Sequence, residues 1–200
     1  VWARQLATFL GITSYAQAAV LSSYMLGLAL GSRVLGAWSD GRKRPLRLFG
    51  WLEAGIGIYA AATLVLVPRL QATYATWAAG SDVGGPSGYI QRLVIALIVL
   101  LLPTFLMGGT LPILVRGLAY LSTPSMLLSR LYGLNTLGAA AGAVLAGFVL
   151  MPSLGMRLSV LAAASANLLL SAVFIAVGSR QTEETEILDT EILDVPSPPS

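Results

Sequence analysis

The sequence predicts an all-α integral membrane protein, a polytopic bundle of about six transmembrane helices, five of them complete. Charged residues make up only 10% of the 200 positions and hydrophobic ones 56%, and the mean hydropathy is +0.79, whereas a soluble domain carries about a quarter charged residues. The apolar runs come in lengths of about 20 residues, divided by Pro, Gly and basic clusters, as helices that cross a hydrocarbon core require. Between Gly27 and Arg47 one such run ends in Arg42, Lys43, Arg44 and Arg47. Short loops this rich in Lys and Arg stay on the cytoplasmic side during insertion.

The first ten residues, VWARQLATFL, are too short to cross a bilayer and read as the second half of a helix whose start precedes them. Gly11 to Ser14 turns the chain, with Thr13 or Ser14 as N-cap. Residues 15–38 form the first complete span. Gly27 and Gly31 stand four apart in it, a spacing that lets helix backbones approach closely in lipid. Arg33 lies one and a half turns before the cytoplasmic end, near enough for its stem to snorkel to the headgroups. The basic residues that follow are expected to set topology and to meet lipid headgroups.

Pro45 suits the first turn of the next helix, and residues 46–67 make the second span, closed by Pro68. Glu53 is the one carboxylate inside any span. An ionised group at that depth requires a partner, protonation or water. Arg33, at similar depth on the preceding helix, is the expected partner; a transport or proton-relay role for Glu53 is the alternative. From Pro68 to Arg92 the chain is expected to leave the hydrocarbon, with Tyr74, Trp77 and Tyr89 at the interface and Gly80–Gly88 as a loop.

Residues 93–115 are the third full span, interrupted by Pro103, Gly108, Gly109 and Pro112. Prolines in mid-helix predict a kink or an unwound segment. Such a break marks a binding site in some transporters and is routine packing in other membrane helices. Thr123-Pro124 caps a span over 126–151, in which Gly138 and Gly142 repeat the close-packing spacing, one turn after Asn135. Pro152 to Gly155 predicts a tight turn, after which residues 158–177 return with Asn167 at mid-depth. Asn135 and Asn167 are expected to serve packing, each as hydrogen-bonding glue for the other.

Residues 181–200 change character. TEILD occurs twice in tandem before VPSPPS, and six of the nine acids lie after residue 180. A five-residue period fits neither 3.6 nor a heptad, so an isolated tail of this kind is expected to be disordered. Ile187, Leu188, Ile192 and Leu193 are regularly spaced apolar anchors for a partner protein. Counted from the basic turn, Arg42, Lys43, Arg44, Arg47, Arg116, Arg130 and Arg180 share one side and Arg69, Arg92 and Arg157 the other. That bias predicts a cytoplasmic C-terminus.

The chain has neither Cys nor His, which excludes thiol redox chemistry, disulfides and the usual zinc and haem ligands. No catalytic residue, metal or cofactor is expected; bound lipid is compatible with the composition. Basic residues gather at helix ends and form no groove-sized stripe, which argues for lipid and against nucleic acid. The usual acid–base and nucleophilic arrangements are missing, so a non-enzymatic protein is expected.

VWARQLATFLG, SYAQAAVLSSYMLGLALGS, RPLRLFGWLEAGIGIYA, PTFLMGGTLPILVRGL and LYGLNTLGAAAGAVLAGFVLMPSLGMR together resemble the transmembrane domain of bacterial proteins in which a membrane portion is fused to a spermidine synthase-like domain. The resemblance implies a bacterial inner-membrane location. It also implies an aminopropyltransferase domain after the last helix, where this chain has the TEILD tail and neither a glycine-rich cofactor loop nor acidic active-site residues. GAWSDGRKR, Gly36 to Arg44, is similar to the loop between the second and third helices of major facilitator transporters, with a shortened spacing after Asp40. Three functions follow as expectations. The first is a non-enzymatic accessory subunit of a larger membrane complex, packed by its Gly/Ala seams. The second is a small-solute transporter or half-transporter, with a polyamine as the substrate that the resemblance suggests. The third is a membrane anchor for a separate synthase-like enzyme.

Overall fold

The computed structural model describes the backbone of residues 14–78 and 86–193. Residues 1–13, 79–85 and 194–200 lie outside that description, as do the side chains of 14–19, 74–75, 77–78, 86–93, 96, 124 and 180–193. The N-terminal partial span, the Thr13 cap, most of the Gly80–Gly88 loop, the rings of Tyr74, Trp77 and Tyr89, and the side chains of the four tail anchors therefore fall outside the described residues.

The described residues are all helical: α1 (Ser14–Ser39), α2 (Pro45–Ala78), α3 (Pro86–Gly117), α4 (Pro124–Val144) and α5 (Met151–Leu193), with a π-helical segment at Leu145–Leu150 joining the last two. Four stretches are long and apolar enough to cross a membrane: Val20–Ser39, Pro45–Thr73, Leu97–Gly117 and Ser125–Ser179. The expected count of about six is not supported. One of the two missing spans, the N-terminal remnant, lies outside the described residues, and the other is lost at residues 125–179, where the sequence predicts two spans and a turn. Helical structure runs on through Pro152, and the break is confined to Gly155 (φ 71, ψ 174). That backbone conformation is the one positive φ among the described residues and suits a residue without Cβ.

Two further helix ends differ from expectation. Pro68 lies inside α2, which continues to Ala78. A proline removes only one ladder bond, and the apolar run on either side sustains the helix. The acidic tail is helical as far as Leu193. The preformed apolar helix before it supplies the nucleus that an isolated TEILD repeat would lack, and the Glu, Leu and Ile that follow accept propagation.

The helices pack in the order α1, α3, α2, α5, with α4 set aside. Small residues make each contact. On α1, a methyl at Gly27 or Gly31 would overlap Thr104 or Phe105 of α3, and one at Gly109 of α3 would lie 2.5 Å from Leu35 of α1. Gly27 and Gly31 thus lie where α1 approaches α3. On α2, methyls at Gly50 and Gly57 would meet Ile175 and Ala164 of α5 at 2.7 and 3.0 Å. Phe49, Leu52 and Ile113 form the buried centre, with Leu35, Leu106 and Phe174 against them. The Phe49 and Phe174 rings meet edge to face at 4.5 Å, a favoured aromatic geometry. These pairings make α1 parallel to α3 and α2 antiparallel to both α3 and α5. One end of the bundle therefore collects residues 39–47, 116–117 and 178.

Helix α3 is continuous from Pro86 to Gly117, with Pro103 and Pro112 inside it, so of the kink or unwound segment expected there the unwinding does not occur. Pro103 has no N–H to give the Val99 carbonyl, and the Tyr59 hydroxyl of α2 donates to that oxygen instead, at 2.7 Å. The Thr104 hydroxyl donates to Leu100 O at 2.7 Å. Gly108 and Gly109 serve as packing positions against α1.

Candidate functional site

The described polar groups concentrate at the end of the bundle that holds the basic turn. Asp40, the first residue after α1, forms an ion pair with Arg116 in the last turn of α3. The Arg116 guanidinium also approaches Ser39 Oγ at 3.4 Å, and that hydroxyl donates to Gly36 O at 2.7 Å. This small network ties α1 and α3 together where their glycine seam ends. Both charges are solvent-accessible, so the pair contributes about 1 kcal/mol or less and acts mainly as a register mark.

The turn itself is short and ordered by backbone bonds, Asp40 N to Ala37 O and Arg42 N to Ser39 O, both 3.1 Å. It folds Arg42 back so that its guanidinium carbon lies 4.0 Å from the Trp38 ring centroid, a cation–π contact. Arg42, Lys43, Arg44 and Arg47 then surround an open cavity of about 300 Å³, with Trp38, Leu48 and Trp51 as its apolar wall. Arg47 Nε is buried without a hydrogen-bond partner. The Arg47 backbone is pinned from behind, because Gly178 of α5 packs so closely that a methyl there would lie 2.6 Å from Arg47 N. Asp40 is engaged by Arg116, so none of the four cations has an acid partner among the described residues.

The expected pairing of Arg33 with Glu53 is not made: the one ion pair among the described residues is that of Asp40 with Arg116. Arg33 is exposed on α1 and Glu53 is half-buried on α2. The physical reason lies in the packing order. α3 stands between α1 and α2, so these two helices, though consecutive in the chain, do not pack on each other along their length. Glu53 sits one turn from both Gly50 and Gly57, on the side of α2 that faces α5.

Asn135 and Asn167 are not brought together either. Asn167 packs by its Cβ against Gly57 of α2, whereas Asn135 is exposed on α4. Gly138 and Gly142 have nothing within 4 Å of where a methyl would project among the described residues, so none of these fills the seam expected there. For the tail, the backbone of Ile187, Leu188, Ile192 and Leu193 is helical.

Sequence reasoning missed the Tyr59 bond and the Asp40–Arg116 pair. The first was signalled by Pro103, which orphans the carbonyl four residues earlier. The second was signalled only by two opposite charges at ends expected to share one side. The apolar wall escaped it because Trp38 and Trp51 look like ordinary span residues.

The chain matches no family model, and comparison with curated proteins and with solved structures gave no match. The functional reading therefore rests on the residues and their arrangement.

Proposed function

We propose that this chain is a non-enzymatic accessory subunit of a larger membrane complex, and that α4 is the helix it presents to its neighbour. One observation carries this reading: among the described residues, Gly27, Gly31, Gly50, Gly57, Gly108 and Gly109 are all filled by another helix, whereas Gly138 and Gly142 are not. A small-residue face left against acyl chains forfeits the close backbone packing that drives association in lipid. Asn135 shares that face and supplies a hydrogen-bonding group for a helix seated on it. In this reading Gly155 divides residues 125–179 into two crossings, because an unbroken helix of that length would reach about 80 Å across a core of about 30 Å. The basic end faces the cytoplasm of a bacterial inner membrane, and the helical tail extends the same interface beyond the bilayer. A spermidine synthase-like partner is the form of this proposal that the sequence resemblance supports.

Mild solubilisation followed by native mass spectrometry tests it. The wild-type chain is expected in an assembly larger than its own 20.9 kDa, and Gly138→Leu with Gly142→Leu is expected to release it as a folded monomer. A wild-type protein that emerges alone overturns the reading.

A second reading, a small-solute transporter or half-transporter, draws on Glu53, an acid in a span with no ion-pair partner among the described residues. Under it, Glu53→Gln abolishes uptake into proteoliposomes while leaving assembly intact. Under the subunit reading Glu53→Gln leaves assembly within about twofold of wild type, since no salt bridge is lost.

A further inference from the structure

We infer that the cavity at the basic turn is a binding site for one membrane lipid whose headgroup carries two phosphate groups. Four cations, Arg42, Lys43, Arg44 and Arg47, line a single opening of about 300 Å³. The acid nearest in sequence, Asp40, is already held by Arg116. Cations gathered without a counter-charge among the described residues repel one another, and an anion entering the cavity relieves that repulsion while accepting their hydrogen bonds. Four positive charges are more than one phosphodiester requires and match two. Guanidinium groups present paired N–H donors to phosphate oxygens. Arg47 lines this opening, and its buried Nε has no hydrogen-bond partner among the described residues.

A lipid is favoured over a soluble phosphate by what lies below the charges. Trp38 and Trp51 are 48% and 57% exposed, and with Leu48 they form the apolar wall of the same cavity. Trp51 lies seven residues past Arg44, which places it about 10 Å further into the membrane along α2. A headgroup held by the arginines would thus lead its acyl chains down this wall, and tryptophans at that depth suit the headgroup–acyl boundary. A free phosphate would use the cations alone and leave the wall uncovered. The Arg42–Trp38 contact fixes one side of the opening before the lipid arrives. This inference is independent of the assembly reading, since the site is built within α1, the turn and α2 and does not involve α4.

The test is native mass spectrometry and lipid exchange in phosphatidylcholine nanodiscs. One set contains 5 mol% tetraoleoyl-cardiolipin and the other 10 mol% dioleoyl-phosphatidylglycerol, equal in total charge. The expected result is one retained cardiolipin per chain, preferred at least tenfold over phosphatidylglycerol. Arg44→Gln with Arg47→Gln is expected to lower that retention at least tenfold. Trp38→Ala with Trp51→Ala, which leaves the topogenic charges untouched, is expected to lower it at least threefold. Retention that tracks charge alone, with the two lipids equal, overturns the two-phosphate assignment. Retention unchanged in either variant overturns the site. Displacement of cardiolipin by 1 mM inorganic pyrophosphate, with tryptophan substitution without effect, overturns the lipid assignment in favour of a soluble diphosphate.

Discussion

Gly31→Ala is expected to separate α1 from α3 and to cost the protein about 3 kcal/mol or more, the upper end of what overpacking costs. A methyl at residue 31 would overlap the Phe105 carbonyl oxygen and lie 2.7 Å from its carbon. Both atoms are backbone, so no rotamer change can make room. Contact distances near 3.5 Å require α1 to withdraw by more than an ångström, and dispersion contacts decay steeply over that range. The withdrawal also loosens Gly108 against Leu28 and Gly109 against Leu35, since all lie on one seam. Denaturant titration in micelles reads the effect. Gly133→Ala is the control: nothing lies within 4 Å of its position, and exchanging Gly for Ala in an exposed helix should be neutral or stabilising by up to about 1 kcal/mol.

Tyr59→Phe is expected to destabilise by about 1–3 kcal/mol, the cost of an orphaned buried carbonyl. Its hydroxyl supplies the bond that Pro103 withholds from Val99 O, and Val99 is buried. The mechanism makes a sharper statement than the single variant can. In a Pro103→Ala background the new backbone N–H restores the helical donor, and the same Tyr59→Phe change should then cost little. A double-mutant cycle should return a coupling of at least about 1 kcal/mol. Additive effects would mean that the tyrosine contributes packing only.

These two sites also mark how far the sequence could be read. The helical class, with helices long and apolar enough to cross a membrane, and the near-complete extent of α1 were legible because each rests on a local pattern of run length, and the closeness of Gly27 and Gly31 to another helix is announced by their i,i+4 spacing. Pro68, Pro103 and Pro112 misled, because a proline's effect depends on whether a neighbour such as Tyr59 re-satisfies the freed carbonyl, and that neighbour is distant in sequence. The Arg33–Glu53 expectation failed for a related reason. It took consecutive helices to be adjacent, whereas α1 packs on α3. The reciprocal glycines, Gly27 and Gly31 against Gly108 and Gly109, carried the correct pairing in the sequence. Reading it required treating the Gly108-Gly109 pair as a contact surface and not as a break. At the basic turn the charges were evident, but their convergence on one cavity with two tryptophans depends on the fold-back of residues 40–44.

The central claim is that the Gly138 face of α4 is covered by another protein in the native membrane. The chain has no cysteine, so a single Gly138→Cys reports on that face alone, and Leu137→Cys, about 100° away around the helix, reports on the next. Intact membranes are treated with a lipid-soluble maleimide before and after dissociation by detergent. The account predicts that residue 138 reacts at least tenfold more slowly than residue 137 in native membranes and that the difference disappears on dissociation. Equal labelling at both positions in the native membrane would contradict it.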